Sequence, residues 1–409
     1  MTNSQYDFIV FGATSFVGKI MSEYMVAQYG DNKDVSWAAA GRSKTKLEAL
    51  RTSLGPRAKD LPLIVADAAD ETALKSMVSQ TGVIISAVGP FALYGEPLVK
   101  VCAETGTDYC DLTGEPLWVR QMIEKYQKAA EKSGARMIPC AGFDSMPSDL
   151  GVFYLQQQSK LQFGEVCSQV KMGVKGMTLD ISGGSMSTGI NEAKEAGAVP
   201  AIQKELKNPY SLCPPNHGFS VKQRLNNTAS FDADFDSWIA PFIMSGINTR
   251  IVHRSNALSG NDYGVDFYYD ESVLMKKGLK ARLTAIGTAS GLAAFKKLSA
   301  IKLTRTIMES YFVPKPGEGP SPEAQKKGYY DFRFIGKTPS GKTIRVKVTG
   351  DSDPGYGSAA KIVMQAGLFL AKELPKKDKS GGFWTPATAF GDVFIKRLID
   401  HAGLTFETL

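Results

Sequence analysis

The chain has 409 residues, 43% hydrophobic and 22% charged, with a formal net charge of +7. That length exceeds what one hydrophobic core usually serves, so two domains are expected, and the composition is that of a folded globular protein. Basic residues are spread out rather than gathered in a block, a balance that fits an anionic cofactor or an acyl-phosphate handle as readily as nucleic acid, of which no usual signature is present; five cysteines without C-x-x-C spacing and three scattered histidines point to reduced thiols and no metal site.

The opening MTNSQYDF lacks a charged-then-apolar leader pattern and runs straight into a strand, Phe8 to Phe11. GATSFVG follows and opens a helix through KIMSEYMVAQY. A second strand, VSWAAA, ends at Gly41, and KTKLEALRTSL reads as the next helix. LPLIVA, closed by Asp67, is the third strand, and VIISAV, stopping at Gly89-Pro90, is the fourth. Helical and strand patterns then alternate through TDYCDL and LWVRQMIEKYQKAAEKS to RMIPCA. Strands alternating with helices imply parallel pairing and right-handed crossovers, hence an α/β, doubly wound (Rossmann) sheet over residues 1–147.

After Gly142 the pattern changes. Alternating strands and Gly-rich turns, with YYDFRFIGKTPSGKTIRVKVTG as a long hairpin, predict an inserted α+β domain over 148–354. Within it, LTAIGTASGLAAF (283–295) is uncharged but too short to span a membrane. It reads as a buried or groove-lining helix, or as one lying at a membrane surface. Residues 355–409 turn helical again, and these C-terminal helices are expected to pack back on the first domain.

The turn between the first strand and its helix presents backbone N–H groups and a positive helix end to a pyrophosphate. Gly12 permits the tight turn and Gly18 lets the helix sit close on the strand, while Ser15 holds the middle place where glycine is usual. Gly12, Ala13, Thr14, Ser15, Phe16, Val17 and Gly18 are therefore assigned to a dinucleotide. The second strand ends in Gly41, Arg42 and Ser43, with Lys44 and Lys46 nearby and no acid to take a ribose 2′-hydroxyl. An arginine fork there suits a 2′-phosphate, so the expected cofactor is NADP(H). Asp67 can accept from the adenine or make a turn. Ala87, Val88, Gly89 and Phe91, ending the fourth strand, are expected beside the nicotinamide.

Several blocks together carry a family likeness. GATSFVG, AAAGRS, SAVGPFALYGEPLVKVCAETGTDYCDLTGE and GFDSMPSDLG, with the later NTRIVHRSNAL, GDSDPGYG and GGFWTPATAFGD, resemble the saccharopine dehydrogenase-like oxidoreductases. The subgroup is that of the mycobacterial trans-acting enoyl reductases and the eukaryotic saccharopine dehydrogenase-like proteins. The likeness spans nearly the whole chain and departs at Ser15 and at His253, where arginine is expected. It implies an NADP-dependent oxidoreductase that reduces a carbon–carbon double bond of a lipid-like or polyketide-derived acyl substrate, free or carrier-bound. A saccharopine-type imine or secondary-amine oxidoreductase, or a nucleotide-binding scaffold on lipid surfaces, are the alternatives. It further implies that the inserted domain serves substrate binding and dimerisation, in a homodimer; the reduced thiols suggest a cytoplasmic location, with peripheral membrane contact as a variant, and no signature of a nucleic-acid partner is present.

Enoyl reduction needs a hydride, a donor for the thioester oxygen and a proton for the second carbon. Tyr94 and Tyr109 are candidate donors, with packed aromatics as the alternative. Asp144 is a candidate orienting or acid/base group, and Ser145 beside it a substrate contact; Ser148 and Asp149 are expected to cap the following helix. SGGSMSTG offers Gly184 and Ser185 to a substrate carbonyl or phosphate. Arg250 and Arg254, four apart, would either hold the phosphates of a carrier arm or form a solvated basic face.

Overall fold

The structure is a computed structural model that describes residues 4–30, 32–178, 204–224, 226–301, 304 and 319–409. These form two compact units. The first takes in the chain up to Asp144, then Gly319 and Gly355–Thr385. The second begins at Ser145, runs to Pro354 apart from Gly319, and resumes over Pro386–Leu409.

The first unit is built on β1 (Phe8–Phe11), β2 (Trp37–Gly41), β3 (Leu63–Val65), β4 (Val83–Ser86), β5 (Asp108–Asp111) and β6 (Arg136–Ile138), with β13 (Gly382–Phe383) returning late in the chain. Every pairing is parallel, in the order β13-β6-β5-β4-β1-β2-β3. All residues of β1 and β4 are buried, as expected of central parallel strands covered on both faces. Between them run α1 (Phe16–Tyr29), α2 (Lys44–Ser53), α3 (Glu71–Val78), the short α4 (Phe91–Tyr94), α5 (Glu96–Thr105) and α6 (Pro116–Ser133). Asp70 starts α3 by accepting from the Thr72 and Ala73 amides at 2.9 and 3.0 Å. The strand order reverses between β1 and β4, which puts a crevice at the carboxyl ends of those two strands.

Helix α11 (Ala359–Lys372) packs on α1, β1, β4 and β5 and completes this unit. Its segment is fastened by a buried ion pair. Arg136 Nε donates to Asp108 at 2.9 Å, Nη2 bonds the same carboxylate and the Leu370 carbonyl, and Nη1 bonds the Leu374 carbonyl. The guanidinium satisfies its donors on the neighbouring strand β5 and on the end of the returning helix at once, which a buried charge requires.

In the second unit the sheet order is β14-β12-β11-β7-β10-β9-β8. Its strands are β7 (Gln169–Met177), β8 (Ser230–Asp232), β9 (Ser237–Pro241), β10 (Tyr268–Leu274), β11 (Tyr330–Lys337), β12 (Thr343–Gly350) and β14 (Leu404–Thr408). The predicted hairpin is β11 with β12, paired from Tyr330↔Gly350 to Lys337↔Thr343. Burial alternates along β12, the period-2 signature of a half-covered strand. The helices are α7 (Met146–Phe163), α8 (Ser245–Leu258), α9 (Leu279–Ala300), α10 (Pro322–Lys327) and α12 (Pro386–Ala402).

Two expectations are corrected here. The C-terminal residues do not all return to the first unit, because α12 packs on α7 and leads into β14, which pairs with β12. Ser148 and Asp149 do not cap α7. Both are buried inside it, and the Asp149 carboxylate instead accepts from the Ser255 hydroxyl at 2.5 Å and the Ala387 amide at 2.8 Å.

Candidate active site

At the carboxyl edge of the first sheet, β1 breaks into a turn that fits only certain residues. Gly12 has φ +87°, and a Cβ there would lie 2.9 Å from the Ala87 carbonyl carbon and 2.8 Å from Val88 Cγ2. A Cβ on Gly18 would sit 2.2 Å from the Gly12 carbonyl oxygen. Both places exclude a side chain, the first by backbone angle and the second by the closeness of helix to strand. Ser15 is under neither constraint. Its φ of −69° and ψ of 168° are ordinary extended backbone, and its Oγ accepts from the Gly18 amide at 3.0 Å. Serine therefore caps α1 where glycine would leave an orphan donor, and its hydroxyl still has a hydrogen to give. The first amides of α1 lack intrahelical partners, so the cradle fits a pyrophosphate.

Other assigned residues gather around this turn. Gly41 lies beside it, since a Cβ there would be 3.5 Å from Thr14 Oγ1. Phe16 meets Tyr356 edge-on at 5.0 Å, which brings the closing GYG of the GDSDPGYG block to the same place. Arg42, Lys44 and Lys46 are exposed after β2, and Ser43 caps α2 by accepting from the Lys46 amide at 3.4 Å. The cations stand clear for a 2′-phosphate. Asp67 Oδ1 accepts from the Ala69 amide at 2.9 Å and makes a turn there.

Beyond β4 the chain is held by a carboxylate. Glu115, 6% exposed, accepts from the Phe91 amide through Oε1 and the Ala92 amide through Oε2, each at 2.9 Å. These are the first donors of α4, so a negative charge at that helix start fixes the Gly89–Phe91 turn. Phe91 is buried against Trp118, ring centroids 5.4 Å apart, while Gly89 is exposed.

Two more carboxyls join Glu115. Asp111 ends β5 fully buried and accepts from the Tyr109 hydroxyl at 2.8 Å and from the Thr113 and Cys140 amides at 3.0 Å each. Burial outweighs these bonds and pushes its carboxyl up to about 7. Asp144, half-buried, is also pushed up to about 7, by desolvation first and then by the charges of Asp111 and Glu115. Such a group keeps its proton near neutrality. Tyr109 is held well above its ordinary value by burial and by Asp111, so its hydroxyl stays protonated.

Tyr109 is thus committed to a carboxylate and not to a backbone carbonyl, the partner expected of a packed aromatic. Tyr94 is different, 48% exposed on α4. Ser145 is fully buried, its hydroxyl donating to Asn248 Oδ1 at 3.0 Å within the second unit instead of facing a ligand. Gly184 and Ser185 lie outside the described residues. Arg250 and Arg254 are 3% and 4% exposed and neither solvated nor open to phosphate. Arg250 bonds the Gly246 and Leu206 carbonyls and Ser211, and Arg254 bonds the Leu212 carbonyl. His253, between them, is buried beside Tyr210 and Phe267 and driven down to about 3 by burial, so it is neutral where arginine was expected. Sequence reasoning missed Asp111 and Glu115, although both stand in the motif DLTGE at the end of a strand. Among the described residues no group of three or more His, Cys, Asp or Glu is arranged to hold a metal ion.

Comparison with known proteins places this geometry. Residues 8–138 match the saccharopine dehydrogenase NADP binding domain. The chain is 36% identical over 416 residues to a trans-acting enoyl reductase of Mycobacterium bovis (strain BCG / Pasteur 1173P2), covering 99% of this chain and 98% of that one. It is 33% identical over 412 residues to a trans-acting enoyl reductase of Mycobacterium ulcerans, covering 96% of each. Among solved structures, the apo saccharopine dehydrogenase (L-Glu forming) of Saccharomyces cerevisiae aligns over 98% of this chain and 99% of that one, with a TM-score of 0.54 at 14% identity. That last likeness is one of fold.

Proposed function

The chain belongs to the trans-acting enoyl reductase family and is an NADP-dependent oxidoreductase, and from that premise we propose that it reduces the carbon–carbon double bond of a lipid-like acyl chain presented as a thioester. The observation that supports this reading is the set of carboxyls Asp111, Glu115 and Asp144 at the sheet edge that carries the cofactor turn, two of them raised to about 7. Reduction of an imine between amino acids calls for free cations to hold several carboxylates. Here the part of the edge beyond β4 and β5 is acidic, the free cations after β2 are taken up by the 2′-phosphate role, and Arg250 and Arg254 are occupied by backbone carbonyls.

NADPH, when bound, supplies the hydride. Gly12 to Gly18 hold its pyrophosphate, Arg42 its 2′-phosphate, and the Gly89–Phe91 turn, set by Glu115, the nicotinamide end. Asp144 is the proton donor, retaining its proton up to about pH 7 and giving it to the substrate carbon as the double bond is lost. Asp111 is a positioning residue. Whenever it is ionised its charge opposes ionisation of Asp144, so the two do not lose their protons together, and Tyr109 orients it. The exposed Tyr94 hydroxyl donates to the thioester oxygen, which gains charge as hydride arrives.

The test is NADPH oxidation with 2-enoyl thioesters, set against 2-oxo acid plus amine mixtures. Enoyl thioesters should be turned over, and Asp144→Asn should lower kcat about 100-fold with NADPH affinity kept. Turnover of the oxo acid mixtures alone would replace this reading with imine reduction. NADPH binding without turnover of either would replace it with a scaffold.

A further inference from the structure

Helix α9 has two apolar sides, and among the described residues only one of them is packed against the rest of the protein. It packs on β9 with Ala281, Ala285 and Ala289, which are 7%, 0% and 9% exposed. Four-residue spacing of small side chains lets the helix lie close to the strand. Around the other side stand Leu279, Leu283, Ile286 and Leu298, exposed by 71%, 61%, 42% and 44%. At 3.6 residues per turn the first three fall within about 60° of one another, turned away from the alanine stripe. Ser290, Ala293 and Ala294 continue that outer face and are exposed too. Single exposed leucines need no explanation, but a face of this length and continuity does.

The charges at this helix are of one sign. From Lys276 to Ala300 the sequence holds no aspartate or glutamate, and no charge at all from Leu283 to Phe295. Exposed Lys276, Lys277, Lys280 and Arg282 stand at its start and Lys297 near its end. Arg282 lies over the Trp238 ring at 5.3 Å, and Lys277 pairs with Asp236. No described helix is long and apolar enough to cross a membrane. A second copy packed on this face would bring cations to cations with no acid on the helix to meet them, whereas anionic headgroups complement them.

We propose that the outer face of α9 is a docking surface for an anionic lipid bilayer, with Leu279, Leu283 and Ile286 entering the headgroup boundary and the flanking lysines meeting lipid phosphates and carboxylates. A helix of this kind lies in the interface plane, its apolar side buried by several ångströms, and each basic residue near the surface adds to the attraction. The surface lies wholly in the second unit and stands whether or not the reductase reading holds.

The experiment is flotation of the full-length protein with phosphatidylcholine vesicles and with vesicles that also contain phosphatidylserine. Binding should be strong only to the anionic vesicles and should weaken as salt is raised. Leu283→Glu with Ile286→Glu should reduce it at least about tenfold, with Tm and NADPH affinity unchanged. Lys280→Glu with Lys297→Glu should remove the preference for anionic lipid, which a purely apolar contact would not do. The proposal is overturned if the wild type binds neither vesicle, or if the Leu283/Ile286 variant binds as the wild type does. It is equally overturned if those substitutions turn a dimer into a monomer without affecting vesicles, since a second copy then covers the face.

Discussion

Replacing Glu115 by glutamine should loosen the turn that carries Gly89 to Phe91 without removing a side chain. The carboxylate accepts two amides at 2.9 Å, from Phe91 and Ala92, in a buried position. Glutamine keeps one acceptor oxygen and turns an NH2 group toward the other amide. One charge-assisted bond is lost and one donor of α4 is left unsatisfied, which together cost about 2–3 kcal/mol. A smaller effect opposes this. The Glu115 charge is the smallest contributor to the raised values of Asp111 and Asp144, so its removal relieves some repulsion. The hydrogen-bond loss is the larger, and about 2 kcal/mol net remains. For a unit of this size that is a fall in Tm of about 4–8 °C. Scanning calorimetry reads the fall, and fluorescence titration should show weaker NADPH binding alongside it. A Glu115→Gln protein that melts within about 1 °C of the wild type would mean those amides find other acceptors, and the assigned role of Glu115 would be lost.

Acid–base behaviour gives a second prediction. Asp111, Asp144, Asp149 and Glu271 are all pushed up to about 7, chiefly by burial. A raised carboxyl contributes stability that is complete below its unfolded value near 4 and is lost as pH rises through 7. The lowered His217 and His253 act oppositely, but only below about 6.5, so Tm should fall between about pH 6.5 and 8; a Tm that climbs across that window contradicts the burial argument. Gly18→Ala should abolish NADPH binding and cost about 3 kcal/mol, because its methyl meets backbone that cannot yield; wild-type affinity in that variant would show the turn to be looser than described. For Arg42→Ala, NADPH affinity should fall about tenfold while NADH affinity holds, in paired fluorescence titrations. Equal losses for both nucleotides would move the 2′-phosphate contact elsewhere.

The first sheet was legible because continuous apolar runs such as FIVF and VIIS, punctuated by glycine turns, admit little besides central parallel strands. The β11–β12 hairpin was legible from its period-2 alternation. What sequence could not reveal was where long polar side chains end. Asp149, Arg250 and Arg254 read as surface or cap residues from their neighbours in the chain, yet each is buried, and its partners come from remote segments or fixed carbonyls. The same holds for Asp111 and Glu115, whose importance comes from the Cys140, Phe91 and Ala92 amides brought to them by the sheet. Ser15 looked like a departure from the glycine pattern because spacing carries no φ angle. With φ −69° the position never required glycine.

The way the chain leaves the first unit at Asp144 and, but for a brief return at Gly319, comes back at Gly355 has a consequence during synthesis. Helix α11 rides directly on β4, so closely that a Cβ on Gly367 would lie 2.2 Å from Ile85 Cδ1. Until that helix is made, the sheet face it covers has nothing to lie against. Roughly 210 residues separate the two segments, and at about 5–20 residues per second the ribosome needs on the order of 10–40 s to supply them. A nascent chain stalled in that interval displays a bare aliphatic surface of β1, β4 and β5, the kind that chaperones bind and aggregates grow from. The nucleotide-binding half of this protein, although written first, is among the last parts to be finished.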